Sequence, residues 1–249
     1  MPQASIPYCG AAPHPAELLA RWNLDPWLLL ALAVVAGAYA LGDGRRADRG
    51  QLRLFVSGWV MLVAIFVSPL CALTSALFAA RVAHHVVLIG VAVPLLVLSL
   101  RPRSPLLPVG AAALLHAVVV WFWHAPMPYT AALGSDLLFW VMQLSLVASA
   151  WLFWQGVFSA RSAPTAVLMA LLGTVVQMGL LGALITFAPA PLYPPHFLTT
   201  APFGLSALED QQLAGLIMWV PSILPYLAVA LALAARLLGS QAGAGGGRR

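Results

Sequence analysis

The sequence predicts an all-α membrane protein with seven transmembrane helices, its amino terminus outside the cell and its carboxyl terminus in the cytoplasm. Composition is the first observation behind this fold class: 62% of the 249 residues are hydrophobic and only 8% are charged, whereas about a quarter are charged in a soluble domain. The second is a series of seven apolar runs, each near the roughly 20 residues that a helix needs to cross a bilayer. The third is the distribution of arginine between those runs.

The seven apolar runs follow one another along most of the chain. They are Pro26–Leu41, Leu54–Ala72, Ala76–Leu100, Pro108–His124, Asp136–Val157, Pro164–Phe187 and Gln211–Leu238. We therefore divide the chain into an extracytoplasmic segment of residues 1–25, a transmembrane domain of residues 26–238 and a cytoplasmic tail of residues 239–249. The tail is rich in Gly and Ala, which predicts a flexible segment.

Arginine marks the side of the membrane predicted to be cytoplasmic. Alternate gaps and the tail hold most of the basic residues, which are Arg45, Arg46, Arg49, Arg53, Arg101, Arg103, Arg161, Arg236, Arg248 and Arg249. Because cytoplasmic loops carry an excess of basic residues, these gaps are expected to face the cytoplasm, and the pattern indicates topology rather than a nucleic-acid surface. The chain has no Lys, which excludes a retinal protein because the retinal Schiff base needs one.

The last run begins with the densest group of polar residues in any apolar segment, between Glu209 and Tyr226. A helix that starts at Asp210 places one set of side chains on a single face: Gln211, Gly215, Met218 and Ser222. Such a face packs against protein rather than lipid, and Gly215 permits the close approach of a neighbouring helix. We expect Trp219 to lie at the membrane boundary, half in contact with water.

A charged side chain, Arg81, lies within the third run, and His84 and His85 follow it at helical spacing. An unpaired Arg inside a bilayer costs about 2.5 to 3.5 kcal/mol on insertion scales, so we predict an acidic partner near the outer boundary. The candidates there are Asp136, Glu209 and Asp210. Of these we predict a structural ion pair between Arg81 and Asp210. The alternative is that Arg81 extends to the surface without a partner.

Imidazole and sulfur groups gather in the halves of the runs predicted to lie near the outer surface. The candidate metal ligands are Cys71, His84, His85, His124 and Met218. Thiolate, thioether and imidazole together favour Cu(I) over magnesium or calcium. Other interpretations stay open, since buried His also forms hydrogen bonds between helices and Met commonly fills cores. Cys9 and Cys71 could instead form one disulfide outside the membrane.

The fourth run ends in a cluster of aromatic residues, in which Trp121, Phe122 and Trp123 directly precede His124. Such clusters are typical of the interfacial belt of membrane proteins, and Trp123 is also a candidate for packing between helices. Gln143 on the fifth run is expected to form hydrogen bonds to a neighbouring helix.

Three segments of the sequence resemble the CtaG-type cytochrome c oxidase assembly proteins, a bacterial family of seven-span membrane proteins. The last run, LEDQQLAGLIMWVPSILPY, resembles the last-helix signature of that family and is the most specific of the three. WHAPMPYTAAL is similar to its outer-loop motif, and SPLCALTSALFAARVAHHVVLIGVAVPLL to its second and third spans. The resemblance extends from about Arg53 to Leu238.

The resemblance carries over to individual positions of this chain. The matching residues are His85, His124, Asp210, Gln211, Gly215, Met218 and Trp219. Two positions depart from the family pattern, because Arg81 and Gln143 stand where relatives usually have histidine. If those histidines bind metal in relatives, this chain either uses His84, Cys71 or Met218 instead or has lost the site.

The resemblance implies a multi-pass protein of the bacterial plasma membrane that assists the assembly of cytochrome c oxidase and holds or delivers copper on the extracytoplasmic side. Implied partners are oxidase subunits, a periplasmic copper donor and membrane lipid, with no nucleic acid. No catalytic residue is assigned, since we identify no phosphate loop, paired catalytic carboxylates or Ser-His-Asp arrangement, and we do not expect an enzyme.

Three other functions stay open at this point. A haem-binding electron carrier would use two of His85, His116 and His124 as axial ligands. A transporter for copper or a small solute would show a polar pathway on both sides of the membrane midplane, whereas the polar groups here concentrate in one half. A scaffold would hold a nascent oxidase subunit without any metal.

Overall fold

A computed structural model describes residues 6–101 and 104–246, with side chains described as far as residue 239. Within these residues the chain is helical and contains no strand. Its α-helices are α1 (Pro26–Leu41), α2 (Arg49–Val67), α3 (Pro69–Ala76), α4 (Phe78–Val87), α5 (Val93–Ser99), α6 (Val109–His124), α7 (Pro126–Leu133), α8 (Asp136–Val157), α9 (Pro164–Thr186), α10 (Ala207–Trp219) and α11 (Leu224–Gly246). The predicted topology signals Arg103, Arg248 and Arg249 lie outside the described residues.

The helices confirm the predicted fold class. Six helices or helix series of the described chain are long and apolar enough to cross a membrane, and there are seven if α6 and α7, which meet at a bend of 70°, form one span. Helices α1 and α8 begin and end at the residues predicted from hydropathy. Helix α11 extends past Leu238 to Gly246. The chain is therefore a multi-pass membrane protein, and the direction in which it crosses the membrane stays a prediction.

Local sequence explains where several helices begin. The carboxylate of Asp25 accepts a hydrogen bond from the amide of Trp27, and Pro26 occupies the first turn of α1, where no amide hydrogen is needed. Ser206 and Glu209 form a reciprocal capping box at the start of α10. Each cap satisfies amides that lack a partner within the helix.

The second and third runs are divided differently from the prediction. The second run was predicted to continue to Ala72, but α2 ends at Val67 and Pro69–Ala76 is the separate short helix α3, because Ser68 is extended before Pro69 and its hydroxyl caps the new helix. The third run contains a π-helical turn, Leu88–Ala92, between α4 and α5. Pro94 lacks the amide hydrogen that an α-helix would direct at Gly90, which favours this local widening.

One end of the bundle, which we call the capped end, is covered by residues 6–25, α7 and residues 187–206. Residues 6–25 are held there by a disulfide between Cys9 and Cys71 and by the side chain of Asn23, which donates to the carbonyl of Phe66 at 3.1 Å. The Tyr8 hydroxyl donates to Asp25 at 2.7 Å, and this bond lowers the pKa of the Asp25 carboxyl. The disulfide is one of the two alternatives that the sequence left open for these cysteines.

Helices α9 and α10 pack closely where Gly182 faces Gly215, because neither residue has a side chain to separate the two backbones. A Cβ atom at Gly215 would lie 2.6 Å from the carbonyl oxygen of Gly182, and one at Gly182 would lie 2.8 Å from that of Gly215. Gln211 extends this contact, because its side chain donates to the carbonyl of Ile185 and accepts from the amide of Leu192 at 2.6 Å. The face predicted to pack against protein therefore lies on α9 and on the segment that follows it, and Trp219 at its edge is 38% exposed.

Candidate functional site

Two of the predicted ligands, His85 on α4 and His124 on α6, face each other in the interior near the capped end. The Nδ1 atom of His85 lies 3.5 Å from the Nε2 atom of His124, and the ring centroids are 5.3 Å apart. Both residues are almost completely buried. Both residues lie on helices with one terminus at the capped end, since α4 starts there at Phe78 and α6 stops there at His124, before Pro126.

The protonation of His124 follows from its partner. Its Nδ1 atom lies 2.7 Å from the carbonyl oxygen of Val120, and because a carbonyl only accepts, Nδ1 carries the proton. The Nε2 atom then has a free lone pair directed at His85. At 3.5 Å this contact is longer than an ordinary hydrogen bond, but it lies between the roughly 3.3 and 4.2 Å that separate two nitrogens bound to one metal ion at about 2.0 to 2.1 Å.

The remaining predicted ligands do not complete a larger metal centre. Among the described residues no group of three or more His, Cys, Asp or Glu side chains could hold a metal ion. The His84 ring lies 5.8 Å from that of His85 and packs edge-on against Phe66. Met218 is buried within the hydrophobic core.

Cys71 is not a free thiolate in this structure, and its assignment as a ligand requires correction. Its sulfur is bonded to that of Cys9, and both cysteines are buried. A thiolate ligand needs a deprotonated thiol, which the disulfide does not offer. The role of Cys71 is structural instead, because the disulfide holds residues 6–25 against the start of α3.

The predicted ion pair between Arg81 and Asp210 is also wrong. The carboxylate of Asp210 accepts hydrogen bonds from the backbone amides of Phe78 at 2.7 Å and Ala79 at 3.1 Å. Helix α4 has no side-chain cap of its own at Leu77, so a carboxylate from α10 supplies the missing acceptors. Asp210 therefore joins α10 to α4 through the backbone of α4.

Arg81 has no acidic partner among the residues that the structure describes. Its side chain is fully buried, and none of its three guanidinium nitrogens forms a hydrogen bond among the described residues. The guanidinium lies over the ring of Phe139, 5.1 Å from the centroid, and the phenol oxygen of Tyr129 is a weak hydrogen-bond acceptor beside it. Of the other predicted acidic candidates, Asp136 is exposed, and Glu209 is exposed and bonded to Ser206.

Several other buried polar atoms near this end of α4 lack partners. Both ring nitrogens of His84, the Nε2 atom of His85 and both amide atoms of Gln143 form no hydrogen bond within the described residues. We call Arg81, His84, His85 and Gln143 the unpaired cluster. Since buried polar groups in proteins almost always have partners, such a cluster indicates bound water, an ion or another ligand.

A chain of hydrogen bonds lies between the unpaired cluster and the capped end. The Tyr129 hydroxyl lies 2.7 Å from Nε2 of His196, and Nδ1 of His196 lies 3.2 Å from the carbonyl oxygen of Ala76. The carbonyl fixes the proton on Nδ1, so Tyr129 donates to Nε2. Burial, with a smaller contribution from the charge of Arg81, lowers the pKa of His196 to about 4.

Sequence reasoning missed His196 and Tyr193, which donates its hydroxyl proton to the carbonyl of His124 at 2.7 Å. Both lie in a loop without periodicity, where hydropathy carries no information. The segment Tyr193-Pro-Pro-His196 offers the one available signal, because two prolines stiffen a loop that presents polar aromatic groups. These residues close the bundle over the histidine pair.

Other predicted residues lie in separate contacts. His116, two helical turns before His124, is 3.0 Å from the hydroxyl of Ser149. Trp123 is buried and donates its indole hydrogen to Ser145 of α8 at 2.8 Å, which places it between helices rather than in a lipid-facing belt.

Most of the chain matches a known family. A family model described as cytochrome c oxidase caa3 assembly factor (Caa3_CtaG) matches residues 28–110 and 107–240. No match was found among functionally curated proteins or among solved structures. The two matching segments contain both histidines of the facing pair, the unpaired cluster and Asp210. The chain is therefore a member of the cytochrome c oxidase caa3 assembly factor family, a family of assembly factors and not a class of enzymes.

Proposed function

We propose that this protein binds Cu(I) between His85 and His124 on the extracytoplasmic side of a bacterial plasma membrane and delivers it to a cytochrome c oxidase subunit during assembly. The proposal rests on one observation: the 3.5 Å separation of two buried imidazole nitrogens, one of which has a lone pair fixed toward the other. Imidazole is a suitable ligand for copper.

The small number of ligands fits a protein that gives its metal away. Two imidazoles hold an ion less firmly than a closed four-ligand site, so a partner with more ligands can remove it. His84 and Met218 are the candidate third ligands, because both are buried and the ring nitrogens of His84 form no hydrogen bond of good geometry among the described residues. When copper is bound, these residues orient it, and the loop containing Tyr193 and His196 excludes water.

Copper stoichiometry of the purified protein tests this function. The ion is kept reduced with ascorbate, because a thiol reductant could open the Cys9–Cys71 disulfide and create artificial ligands. We expect about one copper per chain in the wild type and in His116→Ala, the matched control with a buried histidine on the same helix. The double variant His85→Ala/His124→Ala should bind none and should lower the copper content of the oxidase while remaining in the membrane. Undiminished copper binding by the double variant would contradict the proposal.

A metal-free scaffold is the second candidate, favoured by the absence of a three-ligand group among the described residues. In that case the capped end would hold an oxidase subunit by its surface alone. The two functions separate in the same variant, since a scaffold with both histidines replaced should still support a copper-loaded oxidase.

A further inference from the structure

The strongest anomaly of the structure is a positive charge without a counter-ion. Arg81 is 0% exposed, and none of its three guanidinium nitrogens forms a hydrogen bond of good geometry among the described residues, where the neutral phenol of Tyr129 is only a weak acceptor. Asp210, the buried carboxylate that caps α4, accepts hydrogen bonds from two backbone amides of that helix. Burying an uncompensated charge costs several kcal/mol, so a negative group is expected beside Arg81.

The protein groups around Arg81 do not supply that negative charge. The Phe139 ring offers only the quadrupole of an aromatic face. Tyr129 is a neutral phenol whose proton is donated to His196. Water could satisfy the donors, but it cannot neutralise the guanidinium.

The other members of the unpaired cluster add donors on neighbouring faces. His84 follows Arg81 by three residues on α4, and Gln143 follows Phe139 by four residues on α8, so each shares a face with its predecessor. An imidazole provides one N–H donor, and an amide provides two. Both side chains are buried, and among the described residues Gln143 forms no hydrogen bond and His84 forms none of good geometry, with only a weak interaction with the backbone of Ile65.

We propose that Arg81, His84 and Gln143 bind a small monovalent anion, for which chloride is the fitting species. A monovalent anion balances one guanidinium, and a small one suits side chains that are 0 to 4% exposed. The inference holds whether or not the protein carries copper. If copper binds at His85, which follows Arg81 by four residues, the anion also reduces the repulsion between the metal ion and the guanidinium.

A cavity at the capped end lies next to residues that neighbour the Tyr129–His196 pair. A cavity of about 520 Å³ lies elsewhere, at the opposite end of the bundle, whereas one of about 480 Å³ at the capped end is lined in part by Ser75, Thr130 and Thr199. Thr130 follows Tyr129 in α7, and Thr199 shares the carbonyl of Ala76 with His196. The cavity is therefore bounded by neighbours of the Tyr129–His196 pair, and that pair is itself buried.

Equilibrium binding of radioactive chloride to the purified full chain, in a gluconate buffer without copper, tests the proposal. We expect one saturable site per chain in the wild type and in Arg161→Gln, the control that removes an exposed Arg. Arg81→Gln should abolish the site. Gln143→Leu, which keeps the charge, should weaken chloride binding about tenfold or more through loss of a hydrogen bond to an ion.

A second measurement does not depend on the folding of the Arg81 variant. Chloride should raise the melting temperature of the wild type with a saturation curve that matches the binding isotherm, since a ligand that binds only the folded state stabilises it. Absence of saturable chloride binding by the wild type, or equal binding by Arg81→Gln, would overturn the proposal. Chloride binding without copper binding would leave the anion site standing and refute the copper function alone.

Discussion

Two neighbouring polar regions beneath the capped end differ in how fully their groups are partnered. In the first, Asp210 and Gln211 of α10 bond to backbone groups of α4, α9 and the following loop. In the second, the unpaired cluster on α4 and α8 has donors and acceptors that nothing in the described protein satisfies. The polar side chains of both regions are buried, but only those of the first have hydrogen-bond partners among the described residues, which distinguishes a structural region from a ligand-binding one. The first joins helices, and the second is where the protein is expected to hold what it binds.

The largest effect is expected when a partnered charge is removed. Asp210→Ala leaves the buried amides of Phe78 and Ala79 without acceptors, which should lower the free energy of unfolding by about 4 kcal/mol, at about 2 kcal/mol for each amide. Arg81→Leu, measured without chloride, should cost nothing or stabilise the protein, because it removes an unpaired charge. Reversible unfolding in mixed detergent measures both. A larger loss for Arg81→Leu than for Asp210→Ala would reverse the assignment of the two regions.

The contact between α9 and α10 gives the next largest effect. Gly215→Ala places a methyl group against the backbone of Gly182 and should destabilise the protein by about 3 kcal/mol, the upper range for overpacking. Gly173→Ala on α9 is the matched control, since its Cβ meets nothing within 4 Å. The melting temperatures of the two variants should therefore differ, and equal values would show that α9 and α10 are less tightly packed than described.

Acidification should lower the free energy of unfolding through His196. Its pKa is about 4 in the folded protein and about 6.5 when unfolded, so the unfolded state binds more protons between these values. The contribution of His196 is then complete above about pH 6.5 and falls as pH drops toward 4, by about 2 kcal/mol between pH 7 and pH 5. His196→Gln should lose this pH dependence when unfolding is followed at both values. An equal slope in the variant would assign the effect to other groups.

The smallest effect is expected at an exposed cap. Ser206→Ala removes the acceptor for the amide of Glu209 at the start of α10, and should cost about 1 kcal/mol. The variants Ser206→Ala and Asp210→Ala therefore compare the stability that an exposed cap gives to α10 with the stability that the buried carboxylate of Asp210 gives to α4. If Ser206→Ala is as costly as Asp210→Ala, burial is not what sets the value of these caps.

Hydropathy predicted the fold because each span has to be apolar for about 20 residues, and α1 and α8 accordingly begin and end where expected. The pairing of His85 with His124 was within reach of the sequence, since both lie at the same end of adjacent spans. The role of Asp210 was not. Opposite charges at Arg81 and Asp210 suggest an ion pair in the sequence. The amides at the start of α4 lack an acceptor only because the helix breaks before Phe78, and the sequence did not reveal that break.

The central claim is that the facing histidines bind the metal, and X-ray absorption at the copper edge of the ascorbate-reduced protein tests it most directly. We predict copper bound by at least two imidazole nitrogens at about 2.0 Å, with that signal lost in His85→Ala/His124→Ala and retained in His116→Ala. A wild type without bound copper, or an unchanged spectrum in the double variant, would contradict it.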